Sequence, residues 1–238
     1  MKDKHVLKIE NLVWGYDAKG LVNQPVSIEV STPSFILLLG ANGTGKSTLL
    51  KTIGAVLRPV KGALFFNGES IEKYKKRGGF VSFVFAQRPQ VDFMKVSDLV
   101  LSGLYLHQNP FLKISPEQMQ RYDFAVKVTR IEHLQHHFVN KISDGEFQKV
   151  MIARALVQDT PLILLDEPTA FIDYRSKREL FSLLAEISRQ ENKIIIASTH
   201  DPDLAQEKGE DFWLIKDHTL HQLNHTNLAY KKLKEELM

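Results

Sequence analysis

The sequence contains no cysteine. That excludes disulfides, thiolate metal sites and cysteine nucleophiles, and it suits a reducing cytosol. Also missing is any window approaching the run of about 20 apolar residues that a membrane-spanning helix needs. The longest apolar stretches, at residues 35–39 and 161–165, have the length of buried strands. Any role at a membrane is therefore expected to work through a partner chain. A signal peptide is not expected either, since Met1-Lys2-Asp3-Lys4-His5 leads into only a short apolar alternation. Charge of one sign does not dominate: 31 basic residues stand against 28 acidic, for a net charge of +3. This balance does not point to nucleic acid as a partner. Clusters such as Lys73-Tyr74-Lys75-Lys76-Arg77 are expected to be solvated faces. Low-complexity linkers and internal repeats are lacking. With 238 residues, 43% of them hydrophobic, there is enough material for a sizeable core in one or two domains.

Hydrophobic periodicity organises the remainder. Val6, Leu7 and Ile9, then Val26, Ile28 and Val30, follow the period of two expected of strands, with Gly15, Asp17 and Gly20 as turn residues between them. Phe35-Ile36-Leu37-Leu38-Leu39 is continuously apolar, as a parallel strand buried on both faces would be. A helix is expected from Ser47, and further strands at 63–66 and 80–85. From Val96 to about Asn140 the spacing becomes helical, with Val96, Leu99, Val100, Gly103 and Leu104 at i, i+3, i+4 intervals. A helix is expected to start after Ser115-Pro116-Glu117, with serine as cap and proline in the first turn. Helix 145–158, strand 162–165, helix 174–190 and strand 193–198 complete an alternation that implies a parallel α/β sheet.

Between a buried strand and a helix lies Gly40-Ala41-Asn42-Gly43-Thr44-Gly45-Lys46-Ser47-Thr48, which fits G-x-x-x-x-G-K-[ST]. Glycines allow the backbone to turn its N–H groups around phosphate oxygens, and the helix N-terminus adds partial positive charge. Lys46 is placed to reach the β- and γ-phosphates, and the Ser47 hydroxyl to ligate Mg²⁺. Downstream, Leu162-Ile163-Leu164-Leu165 runs into Asp166 and Glu167. Strand C-terminal edges are where ligands bind in such sheets. Asp166 suits the Mg²⁺ shell, and Glu167 suits the orientation or deprotonation of an attacking water. Two acids here favour hydrolysis over transfer of the phosphoryl group to another substrate.

Between these elements, Lys141-Ile142-Ser143-Asp144-Gly145-Glu146-Phe147-Gln148 precedes Val150-Met151-Ile152-Ala153-Arg154-Ala155-Leu156. The chain at this point resembles the ABC ATPase family over nearly its whole length, and this stretch looks like that family's Leu-Ser-Gly-Gly-Gln signature. The resemblance implies an α/β P-loop NTPase of ABC type, with a mainly parallel core sheet, an N-terminal antiparallel β layer and an inserted helical subdomain. Residues 1–90 and 160–225 would form the catalytic core with its β layer, about 91–158 the helical subdomain, and 226–238 a C-terminal tail helix. It implies a head-to-tail dimer in which ATP is held between one copy's phosphate loop and Ser143, Asp144, Gly145 and Glu146 of the other. Ile142 stands for leucine and Asp144 for the first glycine, which brings a carboxylate near a phosphate.

Other family positions match residue by residue. Tyr16 matches the aromatic that stacks on adenine. Gln87 matches the glutamine that senses Mg²⁺ and the attacking water. Asp173 matches the aspartate that contacts the opposing subunit, although Phe171 stands where a smaller residue is commoner. His200 matches the histidine that contacts the γ-phosphate. In this reading Glu167, His200, Gln87 and Lys46 are catalytic, while Ser47, Gln87 and Asp166 serve Mg²⁺.

A single ATPase unit without a membrane span resembles the arrangement of bacterial importers, and of some exporters, with separate permease subunits. Such a chain is peripheral to the cytoplasmic face of the inner membrane and linked indirectly to a substrate-binding protein. Val96-Ser97-Asp98-Leu99-Val100-Leu101-Ser102-Gly103-Leu104-Tyr105 resembles ATPases of iron–siderophore, haem and cobalamin importers, so an iron complex or cobalamin is the expected cargo. A soluble ABC ATPase serving iron–sulfur assembly, or a transporter of another cargo, is the alternative. His133, His136 and His137 at helix-compatible spacing invite a metal-site reading, but exposed histidines in a polar insert are usually unliganded.

Overall fold

The computed structural model describes residues 3–16, 21–22, 24–77, 79–85, 93–106, 114–170, 172–201 and 211–224. Gln87, Phe171 and the tail helix expected at 226–238 lie outside them. Two sheets organise the chain. The first is antiparallel and is built from β1 (Val6–Val13), β2 (Val26–Ser31), β4 (Lys61–Phe66) and β5 (Glu69–Ser70), in the order β2-β1-β4-β5. The second holds β3 (Ser34–Leu39), β6 (Val81–Val84), β7 (Leu162–Leu165), β8 (Ile194–Thr199), β9 (Asp211–Lys216) and β10 (Thr219–Asn224). Its order is β10-β9-β3-β8-β7-β6, parallel throughout except at the β9–β10 hairpin.

The apolar run of β3 is explained by burial on both faces. Phe35, Leu37 and Leu39 join a cluster with Phe147, Phe181 and Leu184, whereas Ile36 and Leu38 join Leu49, Leu50 and the antiparallel sheet. The same division separates Ile163 and Leu165 from Leu162 and Leu164 in β7, and Ile195 and Ala197 from Ile194 and Ile196 in β8. A period of two distributed over two cores gives an unbroken hydrophobic sequence. One core lies under helix α1 (Lys46–Ile53) and the β layer, and the other under α5 (Asp144–Val157) and α6 (Tyr174–Glu191).

The middle of the chain is helical but broken. α3 (Val96–Leu101) runs into a 3₁₀ turn at Ser102–Leu106, and α4 (Pro116–Val128) is followed by 3₁₀ turns at Glu132–Leu134 and Val139–Lys141. Ser115 caps α4 as expected: its hydroxyl accepts from the Gln118 N–H at 3.3 Å, and Gln118 Oε1 accepts from the Ser115 N–H at 2.8 Å. α3 and α4 both pack on α5. Gly103 allows the close approach, since a Cβ there would lie 2.5 Å from the Arg154 carbonyl oxygen.

The structure corrects the sequence reading in three places. Strand 80–85 shortens to β6, and helix α2 (Ile71–Arg77) occupies a stretch read only as a basic cluster. The β9–β10 hairpin was not anticipated. Its two-residue turn, Asp217-His218, has φ of 47° and 58°, the mirror-image conformation that matches strand twist.

Candidate functional site

The phosphate loop bridges β3 and α1. Gly45 precedes α1 in a left-handed conformation, φ 98°. A Cβ there would be strained by that φ and would meet Leu21 Cδ1 at 2.8 Å. The Trp14 indole N–H donates to the Gly45 carbonyl at 3.2 Å, so a fully buried tryptophan from the end of β1 braces the loop. Tyr16, two residues on, is 73% exposed beside it. Ala41, Asn42 and Gly43 are exposed, and Thr44 closes the turn by donating its hydroxyl to the Ala41 carbonyl at 2.9 Å.

Lys46 is only 4% exposed. Its ammonium donates to the carbonyls of Gly40 at 2.9 Å and Ala41 at 3.2 Å, and lies 3.5 Å from Glu167 Oε1. A cation so buried needs partners, and here the loop's own carbonyls supply them. Ser47, next on α1, donates its hydroxyl to Asp166 Oδ1 at 2.8 Å.

The acids come from the end of β7. The Asp166 N–H donates to the Val84 carbonyl at 2.9 Å, extending the β6–β7 ladder by one residue. Glu167 departs from it with φ 47°, uncommon for a residue other than glycine. Its N–H donates to Ser198 Oγ at 2.8 Å, and Ser198 Oγ donates to Asp166 Oδ1 at 2.9 Å. His200 Nδ1 stands 3.9 Å from Glu167 Oε1. Lys46, Ser47, Asp166, Glu167 and His200 therefore converge at one strand-edge crevice, although Ser47 and Asp166 are 119 positions apart.

The signature stretch is built differently. Ser143 caps α5, and a capping box joins it to Glu146. The carboxylate Oε2 accepts from the Ser143 N–H at 2.8 Å and from its hydroxyl at 2.7 Å, while the Glu146 N–H donates to Ser143 Oγ at 3.3 Å. These two donors from Ser143 hold the Glu146 carboxyl below the usual glutamate range, with smaller help from His133 and His137. Asp144 opens the helix, where its charge suits the helix dipole. Gly145 faces Ile172 Cγ2, which a Cβ would meet at 3.6 Å, so the signature adjoins the segment leading to Asp173. Asp173 caps α6 by accepting from the Ser176 N–H at 3.0 Å, and hydrogen bonds from the Ser176 side chain and then its backbone lower the Asp173 pKa.

His133 lies in a 3₁₀ turn 3.9 Å from Glu146 Oε1, and His136 and His137 are exposed beyond it rather than aligned on one α-helix. Among the described residues no group of three or more histidine or acidic side chains could hold a metal. Sequence reasoning passed over two residues of the site. The sequence pattern places Ser198 only within strand 193–198 and does not single out Trp14. A hydroxyl pair, Ser198-Thr199, ending an apolar strand and a tryptophan two residues before Tyr16 are the available signals.

Comparison with known proteins bears on this arrangement. A family model described as ABC transporter matches residues 23–170. The achromobactin transport ATP-binding protein of Dickeya dadantii is 36% identical over 198 residues, covering 82% of this chain and 72% of that one. The zinc uptake system ATP-binding protein of Listeria monocytogenes is 32% identical over 200 residues, covering 83% and 77%. Among solved structures, an inward-facing metal-chelate type ABC transporter superposes with a TM-score of 0.83 at 27% identity, covering 98% of this chain and 88% of that one. A dimeric bacterial ABC transporter cassette superposes with a TM-score of 0.76 at 25% identity, covering 93% and 100%.

Proposed function

The chain belongs to the ABC transporter family of ATP-binding proteins, and on that premise we propose that it is the motor of an importer for an iron complex, a siderophore or haem chelate, or for cobalamin. It binds and hydrolyses ATP. The observation that carries the hydrolytic chemistry is the hydrogen-bonded chain from Ser47 through Asp166 and Ser198 to Glu167, beside a buried Lys46.

In this reading Tyr16 stacks on adenine. The backbone amides of residues 40–48 and the start of α1 wrap the phosphates. Lys46 exchanges the carbonyls of Gly40 and Ala41 for β- and γ-phosphate oxygens. Ser47 Oγ and Asp166 Oδ1, 2.8 Å apart, are hard oxygen donors suited to Mg²⁺, with Gln87 as a further ligand. A Mg²⁺ held there by Ser47, Asp166 and Gln87 would supply positive charge to offset that developing on the phosphate oxygens. Glu167 takes a proton from, or orients, the water that adds to the γ-phosphorus as the bond to the bridging oxygen breaks. His200 contacts the γ-phosphate, and fixed dipoles and charges lower the barrier.

Ser143, Asp144, Gly145 and Glu146 meet the nucleotide of a second copy arranged head to tail, with Asp173 at the contact. The dimeric cassette to which this chain is similar supports that pairing. Residues 1–90 and 160–225 act as the catalytic core, and about 91–158 as a helical unit that moves with nucleotide state. No described helix is long and apolar enough to cross a membrane; in this reading separate permease subunits form the transport path. The chain works peripherally at the cytoplasmic face of the bacterial inner membrane, is linked indirectly to a substrate-binding protein, and uses no nucleic acid.

The iron-complex cargo is supported by relatives named for achromobactin transport and for a siderophore transport system, and by the resemblance of residues 96–105 to ATPases of iron-complex importers. The zinc-uptake relative favours a second reading with zinc as cargo. Crosslinking in membranes and purification of the partner tests the transporter role: permease subunits are expected, and a purely soluble partner would overturn it. Uptake of radiolabelled iron–siderophore against zinc by the reconstituted complex decides the cargo.

A further inference from the structure

β7 and β8 pair in parallel with Leu165 opposite Ala197, so Asp166 leaves β7 beside Ser198. Alternation along β8 sends Ile194 and Ile196 toward the core under α1, and Ile195 and Ala197 toward the opposite core. By the same period of two, Ser198 faces the α1 side, where Ser47 lies. Ser198 is 0% exposed. Its hydroxyl has one proton to donate and lone pairs to accept with, and the acids use both functions. The proton goes to Asp166 Oδ1 at 2.9 Å, and a lone pair receives the Glu167 N–H at 2.8 Å. The same Oδ1 also accepts from Ser47 at 2.8 Å.

This contact falls at a residue with a left-handed backbone. Glu167 holds φ 47°, a conformation that persists for a non-glycine residue only when its surroundings fix it. Its N–H, turned away from the strand ladder, has Ser198 Oγ as its acceptor. The turned backbone puts the Glu167 carboxylate 3.5 Å from Lys46 and 3.9 Å from His200. One buried hydroxyl thus orients the carboxylate of Asp166 and fixes the backbone of Glu167.

We propose that Ser198 is a positioning residue for ATP hydrolysis, setting the Asp166 carboxylate for the magnesium site and the Glu167 backbone for the attacking water. The inference rests on the roles given above to Asp166 and Glu167. It acts through them, so the bare nucleotide is not its target. Residues that orient a metal ligand from behind typically change metal affinity or activity by about 10–100-fold when removed.

The test uses the full chain with Ser198→Ala. Expected are a fall of about tenfold or more in kcat, a rise of about tenfold in the Mg²⁺ concentration for half-maximal activity, and an Mg²⁺-free ATP affinity within about twofold of the parent. Ser198→Cys fills the site with a somewhat larger sulfur and substitutes a weak donor, and serves if the alanine variant fails to fold; it is expected to shift both quantities in the same direction. A folded variant that keeps the parent's kcat and Mg²⁺ dependence, or loses only thermal stability, overturns the proposal. Glu167→Gln measured in parallel separates the two failures. If that variant still hydrolyses ATP, the reading of Glu167 has failed. If it is inactive while Ser198→Ala behaves as the parent, only the role of Ser198 has.

Discussion

The two halves of the proposed ATP site are held together over different distances along the chain. In the phosphate-loop half, the hydrogen bonds that set the functional groups span 119 residues from Ser47 to Asp166, 32 from Ser198 to Asp166 and 31 from Glu167 to Ser198. In the signature half, Ser143 to Glu146 and Asp173 to Ser176 each span three. Long-range bonds exist only once the parallel sheet has formed, so the first half is organised by the fold. The second half is an exposed pair of helix caps that local sequence can set by itself. In the proposed reading the first half is assembled within one copy, whereas the second is an exposed surface offered to the partner copy.

This contrast can be broken most severely at Lys46. Lys46→Ala removes the buried cation and is expected to lower hydrolysis by about a hundredfold or more, while also weakening ATP binding by a single copy; a steady-state phosphate assay and nucleotide titration check both. Ser143→Ala is expected to lower hydrolysis by about tenfold and to weaken ATP-dependent pairing, with ATP affinity of the dilute chain unchanged. Light scattering with and without ATP checks this. An equal loss of affinity in the dilute chain would mean that both halves serve one nucleotide in one copy.

A smaller effect concerns pH. The folded pKa of Glu146 is depressed below its ordinary value of 4.5 by the two Ser143 donors. Its contribution to stability is therefore present above pH 4.5 and fades as pH falls through the lower folded pKa. Thermal melts of Glu146→Gln against the parent should converge on acidification below about pH 4.5 and differ modestly above it. Least affected should be Asp173→Ala, with a slight drop in melting temperature from the lost cap on α6 and no change in ATP affinity of the dilute chain.

Legibility in the sequence followed the same division. Gly40 to Thr48 and Asp166-Glu167 were readable because their chemistry is contiguous and flanked by unmistakable apolar strands. The alternation of strands and helices gave the parallel sheet, and Ser115-Pro116 gave the start of α4. The β9–β10 hairpin escaped because Asp217 and His218 adopt positive φ without the glycine or asparagine that usually marks such a turn. Ser198 escaped because its role depends on the β7–β8 register, which no local pattern encodes. α2 was hidden under a basic cluster whose periodicity gave no clear face.

The most direct test of the central claim is ATP turnover by Glu167→Gln together with its ATP-dependent association. The account predicts a fall in turnover of about a hundredfold or more, the range ascribed to a positioned general base, with ATP binding retained and a dimer that accumulates in ATP and dissociates when it is removed. Hydrolysis at the parent's rate in this variant would contradict it.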